Sequence, residues 1–280
     1  MRHSPLVAAF GIPHNPHFPT WVQSGHPLAP EIETKYRPLA ETFERARPDT
    51  LIYITSDHYN MFWETLPVFA VGVAESAHGA SDYPELDREL RIDSALARHI
   101  HAHLVNCEFD VAMLQELEFD HTVIAPLHFL APTADIALVP VYVNAFLRPL
   151  PSARRCLALG RAIREAVESA PDAGRVAVAG SGSFSLEIGG PRISEDSHTG
   201  VPDTAWLDRV VELVHAGDVD RLVSEATDEQ LWRAGNAGGE VLDWIALLGT
   251  FDSRSPDYLD VQPQFGHAFA SWSLDGAPSA

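Results

Sequence analysis

Four short apolar runs, each closed by turn residues, constrain this chain more than any other feature. They are "LVAAFGI" (6–12), "LIYITS" (51–56), "IALVPVYV" (136–143) and "RVAVAGSG" (175–182). A strand with one wet face alternates apolar and polar residues. A run that is apolar throughout is covered on both faces, as in a parallel sheet sandwiched between helices. "VFAVGVA" (68–74) is expected as a fifth strand. Between these runs the period changes to that of helices. Residues 85–105 bring Leu86, Leu90, Leu96, Ile100 and Leu104 largely to one face, and 153–169 and 204–216 repeat the pattern. Asp203 is expected to cap the last of these, and "TDEQ" (227–230) to open another short helix. The alternation predicts a single α/β domain over 1–280, with a mostly parallel central sheet and helices on both faces. The Pro-rich patches at 13–38 and 147–151 read as loops inside it, and 256–280 as an irregular tail wrapping the body.

Charge narrows the classes of function. Nineteen basic against thirty-nine acidic residues give −20, which argues against nucleic acid and anionic membranes. A small anionic substrate needs only one or two local Arg residues and stays open. No apolar run approaches the roughly 20 residues that span a bilayer, and the start "MRHSPLVAAFGIPHNP" lacks the pattern of a signal peptide. Cys107 and Cys156 lie far apart with no CxxC partner and read as small buried hydrophobes. The expectation is a cytoplasmic protein.

In open α/β sheets, ligands collect beyond the carboxyl ends of the strands. The first run is followed by "PHNPHFP" with His14 and His17, the second by "SDHYN" with Asp57 and His58, and the fourth by "GSGSFSLEIGG". Two strand ends thus deliver histidines to one edge, the expected place for a metal. Glu240, in "GNAGGEVLDWIALLG" (235–249), is a candidate third ligand. A lone Glu in a first helical turn ordinarily serves the helix dipole, but the glycine-rich approach points to close backbone packing. Two His and one carboxylate leave open positions of the kind that suits Fe(II) and oxygen chemistry. "EFDHTVIAPLHFL" (118–130) adds His121 and His128; Asp120 can orient His121 or cap a helix. "HIHAH" (99–103), with no carboxylate near it in sequence, reads as a solvated helical surface.

Taken in order, "PHNP", "SDHYN", "FDHTVIAPL", "GSGSFSLEIGGPR" and "GNAGGEVLDWIALLG" resemble the class III extradiol ring-cleavage dioxygenases, the LigB-type family of the protocatechuate 4,5-dioxygenase β subunit. The resemblance implies a LigB-like fold and a non-haem Fe(II) held by His14, His58 and Glu240. His121 matches a histidine that lies near substrate and oxygen in relatives. It further implies a catechol-type aromatic substrate, O2 as co-substrate, and either a homo-oligomer or a complex with a small second subunit.

One position departs from the family pattern. Relatives carry Ser-His after the glycine-rich turn, and that His is the acid–base group. Here the pair is Ser185 and Leu186, both placed at the substrate by the resemblance. Leucine cannot move a proton, and a positioned acid or base is typically worth about 10²–10⁴ in rate. Three readings follow: another histidine (His121, His17, His128 or His198) supplies the function; the metal site runs different chemistry; or the chain is a catalytically weak homologue that binds a ligand or partner. Retention of the ligand set favours the first two, with His121 and His17 as proton-transfer candidates. Glu187 is expected to point outward from its loop. Arg192 either pairs with a substrate carboxylate or clamps the turn.

Overall fold

The protein is described by a computed structural model that covers residues 4–79, 86–131, 135–194 and 196–275. Strand β1 (Leu6–Ile12) leads into α1 (Phe18–Ser24) and α2 (Ala29–Ala46). Then β2 (Thr50–Thr55), β3 (Phe69–Gly72), β4 (Ser76–Gly79) and β5 (Arg88–Arg91) precede α3 (Ser94–Asn106). Next come β6 (Val111–Leu114), β7 (Glu118–Phe119), α4 (His121–Leu130), β8 (Ala137–Val143), α5 (Ala153–Ser169) and β9 (Val176–Ser181). A short ladder, β10 (Glu187–Ile188) and β11 (Thr199–Gly200), is followed by α6 (Thr204–Ala216), α7 (Val219–Glu225) and α8 (Asp228–Arg233). A single turn at Gly238–Glu240 opens α9 (Val241–Gly249), and β12 (Tyr258–Gln262) and β13 (His267–Ser273) complete the described chain.

Eight strands form the central sheet in the order β12-β13-β1-β9-β2-β8-β3-β6. The four runs singled out in the sequence are its parallel centre, β1-β9-β2-β8, and every residue of these strands is buried. Continuous burial is why they read as unbroken apolar runs. The fifth run supplies β3, antiparallel to β8. One face carries α3, α5, α6 and α9, with Val178, Ile163, Leu207 and Trp244 in its core; the other carries α2 and α4, with Phe10, Leu39, Tyr53 and Leu127. Helices α5 and α9 cross at Gly160, where a β-carbon would sit 1.9 Å from the Ala246 carbonyl oxygen. Glycine is what lets α9 lie that close.

The expected caps form: Asp203 accepts a hydrogen bond from the Trp206 amide and Thr227 one from the Gln230 amide. Three expectations need correction. The Pro-rich patch 13–38 is not a loop: it carries α1 and the start of α2, with Pro19 and Pro30 in the first turns, where a missing amide proton costs nothing. The helix read over 85–105 begins only at Ser94, capped by Asp93; Leu86 lies before a strand and Leu90 lies within it. Residue 85 falls outside the described residues. Leu86 and Leu90 are buried on the α2/α4 side, so apolar spacing inherited from two elements imitated one helix. The supposedly irregular tail contains β12 and β13, with β13 antiparallel to β1 inside the sheet. Pro263, Gln264 and Gly266 in the connection disguised the pair as loop. Residues 276–280 of that tail lie outside the described residues. Among the described residues no helix is long and apolar enough to cross a membrane.

Candidate metal centre

Three strand ends and one helix start meet at the carboxyl edge of the sheet. His14 follows β1 by two residues, His58 follows β2 by three, and β9 ends at Ser181. The chain after His58 is held by Asp57, whose carboxylate accepts hydrogen bonds from the amides of Asn60, Met61 and Phe62 at 3.0–3.2 Å. Such side-chain capping of a turn is what Asp does well. Glu240 arrives from α9 and is fully buried.

His14 Nε2 and His58 Nε2 converge on the same oxygen, Glu240 Oε1, at 3.3 and 3.2 Å. One ligand atom from each of the three residues lies within 4.8 Å of the others. The other carboxylate oxygen accepts the Ser183 amide at 2.6 Å, fixing the group from behind. His14 Nδ1 lies 2.6 Å from Ser181 Oγ, whose hydroxyl points on to the Thr122 carbonyl at 3.5 Å. With the hydroxyl's proton directed at that carbonyl, Nδ1 carries the imidazole proton and Nε2 presents a lone pair to the centre. This is the arrangement that orients metal-bound histidines. Burial by itself would raise the Glu240 pKa, but the charges and hydrogen bonds of His14 and His58 reverse that and hold it well below the usual carboxylate range. His58 is also buried, which would lower it, yet the Glu240 carboxylate outweighs burial and raises it. A buried carboxylate facing two imidazole nitrogens is a set of donors into which a cation fits, and two nitrogens with one carboxylate match a divalent metal that keeps open positions.

His121, the first residue of α4, joins this group. Its ring centroid lies 4.9 Å from that of His58 and 6.0 Å from that of His14, both edge-on. Asp120 caps the helix and lies close enough for its charge to act on His121. Its carboxylate caps α4 through the Thr122 amide at 2.9 Å, its other oxygen reaches the His58 amide at 3.3 Å, and its charge acts on His121. Burial, reinforced by His58 and His14 against the opposing Asp120, depresses the His121 pKa to about 3. The ring is therefore neutral near pH 7. Phe146 lies edge-on to His58, its ring centroid 4.8 Å away.

The other expected site residues are placed differently. His17 is exposed at the start of α1 with its ring stacked on Trp21. His128 is half-buried at the end of α4 beside Phe129, and His198 is exposed. Ser185 is fully buried, its hydroxyl donating to the Ala234 carbonyl and accepting from the Asp203 amide. Leu186 is half-buried, and its backbone N–H and C=O pair with Ala234 and Ala237, the approach to Glu240. Glu187 does not point outward. It is fully buried, where Arg192 Nη1 and the Asn236 amide donate to its Oε2 at 2.6 and 2.7 Å. Arg192 thus clamps the turn, with its guanidinium 3.9 Å from the centroid of Trp232. Nothing in the glycine-rich sequence around it signals that this acid turns inward. "HIHAH" does find a carboxylate: His103 Nε2 lies 3.5 Å from Glu165 of α5, with Cys107 one turn further on.

Two residues of this region were not singled out from the sequence. Ser181 lies within the quoted Gly-rich motif but, as the last residue of β9, was read only as strand, and His267 was hidden in the tail. His267 is buried on β13, its pKa depressed to about 3 by burial and by the nearby positive charge of His14, against the pull of Glu240.

Comparison with known proteins identifies the family. The profile of the family described as the catalytic LigB subunit of aromatic ring-opening dioxygenase matches residues 8–271. A gallate dioxygenase of Pseudomonas putida is 31% identical over 164 residues, 58% of this chain but 46% of its own length, so the chain spans less than half of that relative. A 2,3-dihydroxyphenylpropionate/2,3-dihydroxicinnamic acid 1,2-dioxygenase of Klebsiella pneumoniae is 25% identical over 74% of this chain and 77% of its own. The crystal structure of an uncharacterized Escherichia coli K12 protein shares the fold, with a TM-score of 0.59 at 17% identity, covering 95% of this chain and 98% of that one. With the profile match running from β1 into β13, the chain belongs to the LigB family, whose named relatives here are ring-cleaving dioxygenases.

Proposed function

We propose that this protein is a non-haem Fe(II)-dependent dioxygenase that opens a catechol-type ring in extradiol fashion, with His14, His58 and Glu240 as the iron ligands. The observation that carries this reading is the convergence of two imidazole nitrogens on one buried carboxylate oxygen at 3.2–3.3 Å. When bound, Fe(II) supplies an open coordination face on which a diol and O2 can be activated side by side.

The chain's own residues do the rest. Ser181 sets the tautomer of His14, and the Ser183 amide holds Glu240. His121 is the proton-transfer group: neutral, beside His58, and paired with Asp120, it can take a proton from a substrate hydroxyl and return it. His17 is too exposed for that task. Leu186 favours a second reading, in which the same centre runs a reaction that needs no base on that side. The substrate is a small aromatic, and the working form is a cytoplasmic homo-oligomer or a complex with a small second subunit.

The test is oxygen uptake by protein reconstituted anaerobically with Fe(II), across a panel of catechols, with iron measured on the same sample. Stoichiometric iron with substrate-dependent uptake and a ring-opened chromophore supports extradiol cleavage. Stoichiometric iron without uptake supports the second reading, and absence of iron binding overturns both.

A further inference from the structure

Two of the three histidines in "HIHAH" make ordinary hydrogen bonds, and the third does not. His99 Nε2 lies 3.0 Å from the Ala166 carbonyl and 3.2 Å from the Ser169 hydroxyl of α5. His101 Nε2 lies 3.2 Å from the Val111 carbonyl. His103 Nε2 is buried and has no hydrogen-bond partner. Its approach to Glu165 Oε2, 3.5 Å away on α5, does not form one. Cys107 follows four residues later at the end of α3, one helical turn on and so on the same side of the helix. One ligand atom from each of His103, Cys107 and Glu165 lies within 4.8 Å of the other two.

This triplet is poorly matched as a hydrogen-bond network and well matched as a donor set. Among the described residues Glu165 has no ion pair with a Lys or Arg, and Cys107 is a half-buried free thiol. A buried nitrogen left without a partner calls for an explanation, and a missing ion is one of the few available. Ligand atoms around a tetrahedral divalent cation stand ~3.5 Å apart, given metal–ligand bonds of about 2.0–2.3 Å. Rotation of the solvent-facing Glu165 side chain covers the difference. The carboxyl end of α3, where these residues gather, also favours positive charge. A sulfur donor beside an imidazole selects Zn(II) over Mg(II) or Ca(II).

We propose that His103, Cys107 and Glu165 bind a second divalent cation of the Zn(II) class, which clamps the end of α3 to α5 and keeps one position for solvent. On binding, the Cys107 thiol gives its proton to solvent and the sulfur becomes an anionic donor. The site shares no residue with His14, His58 and Glu240 and does not depend on the reaction run there.

Cobalt(II) titration of the reduced, metal-free chain tests this, because a thiolate ligand gives a charge-transfer band that nitrogen and oxygen ligands do not. The iron centre offers no sulfur, and the other cysteine, Cys156, is fully buried in the core. Wild type is expected to take up a second equivalent that carries the thiolate band, and Zn(II) to displace it. Cys107→Ser should lose both the band and that equivalent. His103→Ala and Glu165→Gln should each weaken it by more than about tenfold, since even an orienting partner is worth that much. With the iron centre disabled by His14→Ala, Zn(II) at ~100 times its Kd should still raise the Tm by about 5 °C, and adding Cys107→Ser should remove the rise. A reduced wild-type chain without the band overturns the site, as does a band that survives Cys107→Ser. A band lost in Cys107→Ser but untouched in both other variants is a lone thiol binding metal unaided, and overturns it too. A chain that shows the band yet takes up no Fe(II) keeps this site and overturns the dioxygenase reading alone.

Discussion

A β-carbon placed on Gly182 would lie 2.6 Å from the Cβ of Glu240 and 3.1 Å from its carbonyl oxygen. The two residues come from β9's end and α9's start, and the carboxylate reaches His14 and His58 only because nothing protrudes between them. Gly182 also has a φ of 149°, a conformation that L-residues rarely adopt. Gly182→Ala is therefore expected to destabilise the fold by about 2 kcal/mol and to displace Glu240 from the two imidazoles. Iron stoichiometry after dialysis should fall sharply, while Gly189→Ala, strained by a φ of 60° but meeting no neighbouring atom, should leave it intact.

Ser181 touches no metal-facing atom, yet it governs His14 through a 2.6 Å contact with Nδ1. Ser181→Ala is expected to weaken metal affinity by about 10–100-fold, the usual effect of losing an orienting partner. Ser181→Thr, which keeps the hydroxyl, should recover most of it. Equal affinity for Co(II), used as a spectroscopic reporter, in Ser181→Ala and wild type would contradict that role.

The acid limb of stability should carry the signature of two histidines. His121 and His267 both have folded pKa values near 3 against an unfolded reference of 6.5. Between these values the unfolded chain binds protons that the native state refuses. Stability of the metal-free protein must then fall as the pH drops from about 6.5 toward 3, at up to about 1.4 kcal/mol per pH unit for each ring. Urea denaturation across this range should show a shallower slope in His121→Gln. An identical slope would mean that the imidazole is already protonated in the native state.

Arg192 offers a clean choice between substrate contact and clamp. The Glu187 carboxylate it neutralises is fully buried, so Arg192→Leu leaves that charge without its cation and should cost about 3 kcal/mol. Catechol and its carboxylated analogues should then lose equal affinity at a temperature where the variant is folded. Selective loss of the carboxylated ligands would instead place the guanidinium at the substrate.

The parallel centre of the sheet was legible because both faces of β1, β2, β8 and β9 are covered, which leaves no polar alternation to confuse the period. His14, His58 and Glu240 could be read because they follow strands or glycines at positions where the backbone must stop and expose a side chain. What could not be read depends on contacts between distant segments. Glu187 looked like a loop acid because its partner Arg192 and the Asn236 amide are recognisable as partners only once the turn has folded. Ser185 looked available until Asp203 and Ala234 took up both capacities of its hydroxyl. β5 was absorbed into a helix by leucine spacing, and β13 was masked by the proline and glycine before it.

Insertion of β13 between β12 and β1 has a temporal consequence for synthesis. His14 leaves the ribosome early, but its carboxylate partner is more than two hundred residues downstream, and the strand that walls the same edge comes later still. No shorter nascent chain can close the centre. Metallation must wait until Glu240 has been made, and a chain stopped before β13 leaves β1 with an open edge, prone to pair with another copy instead.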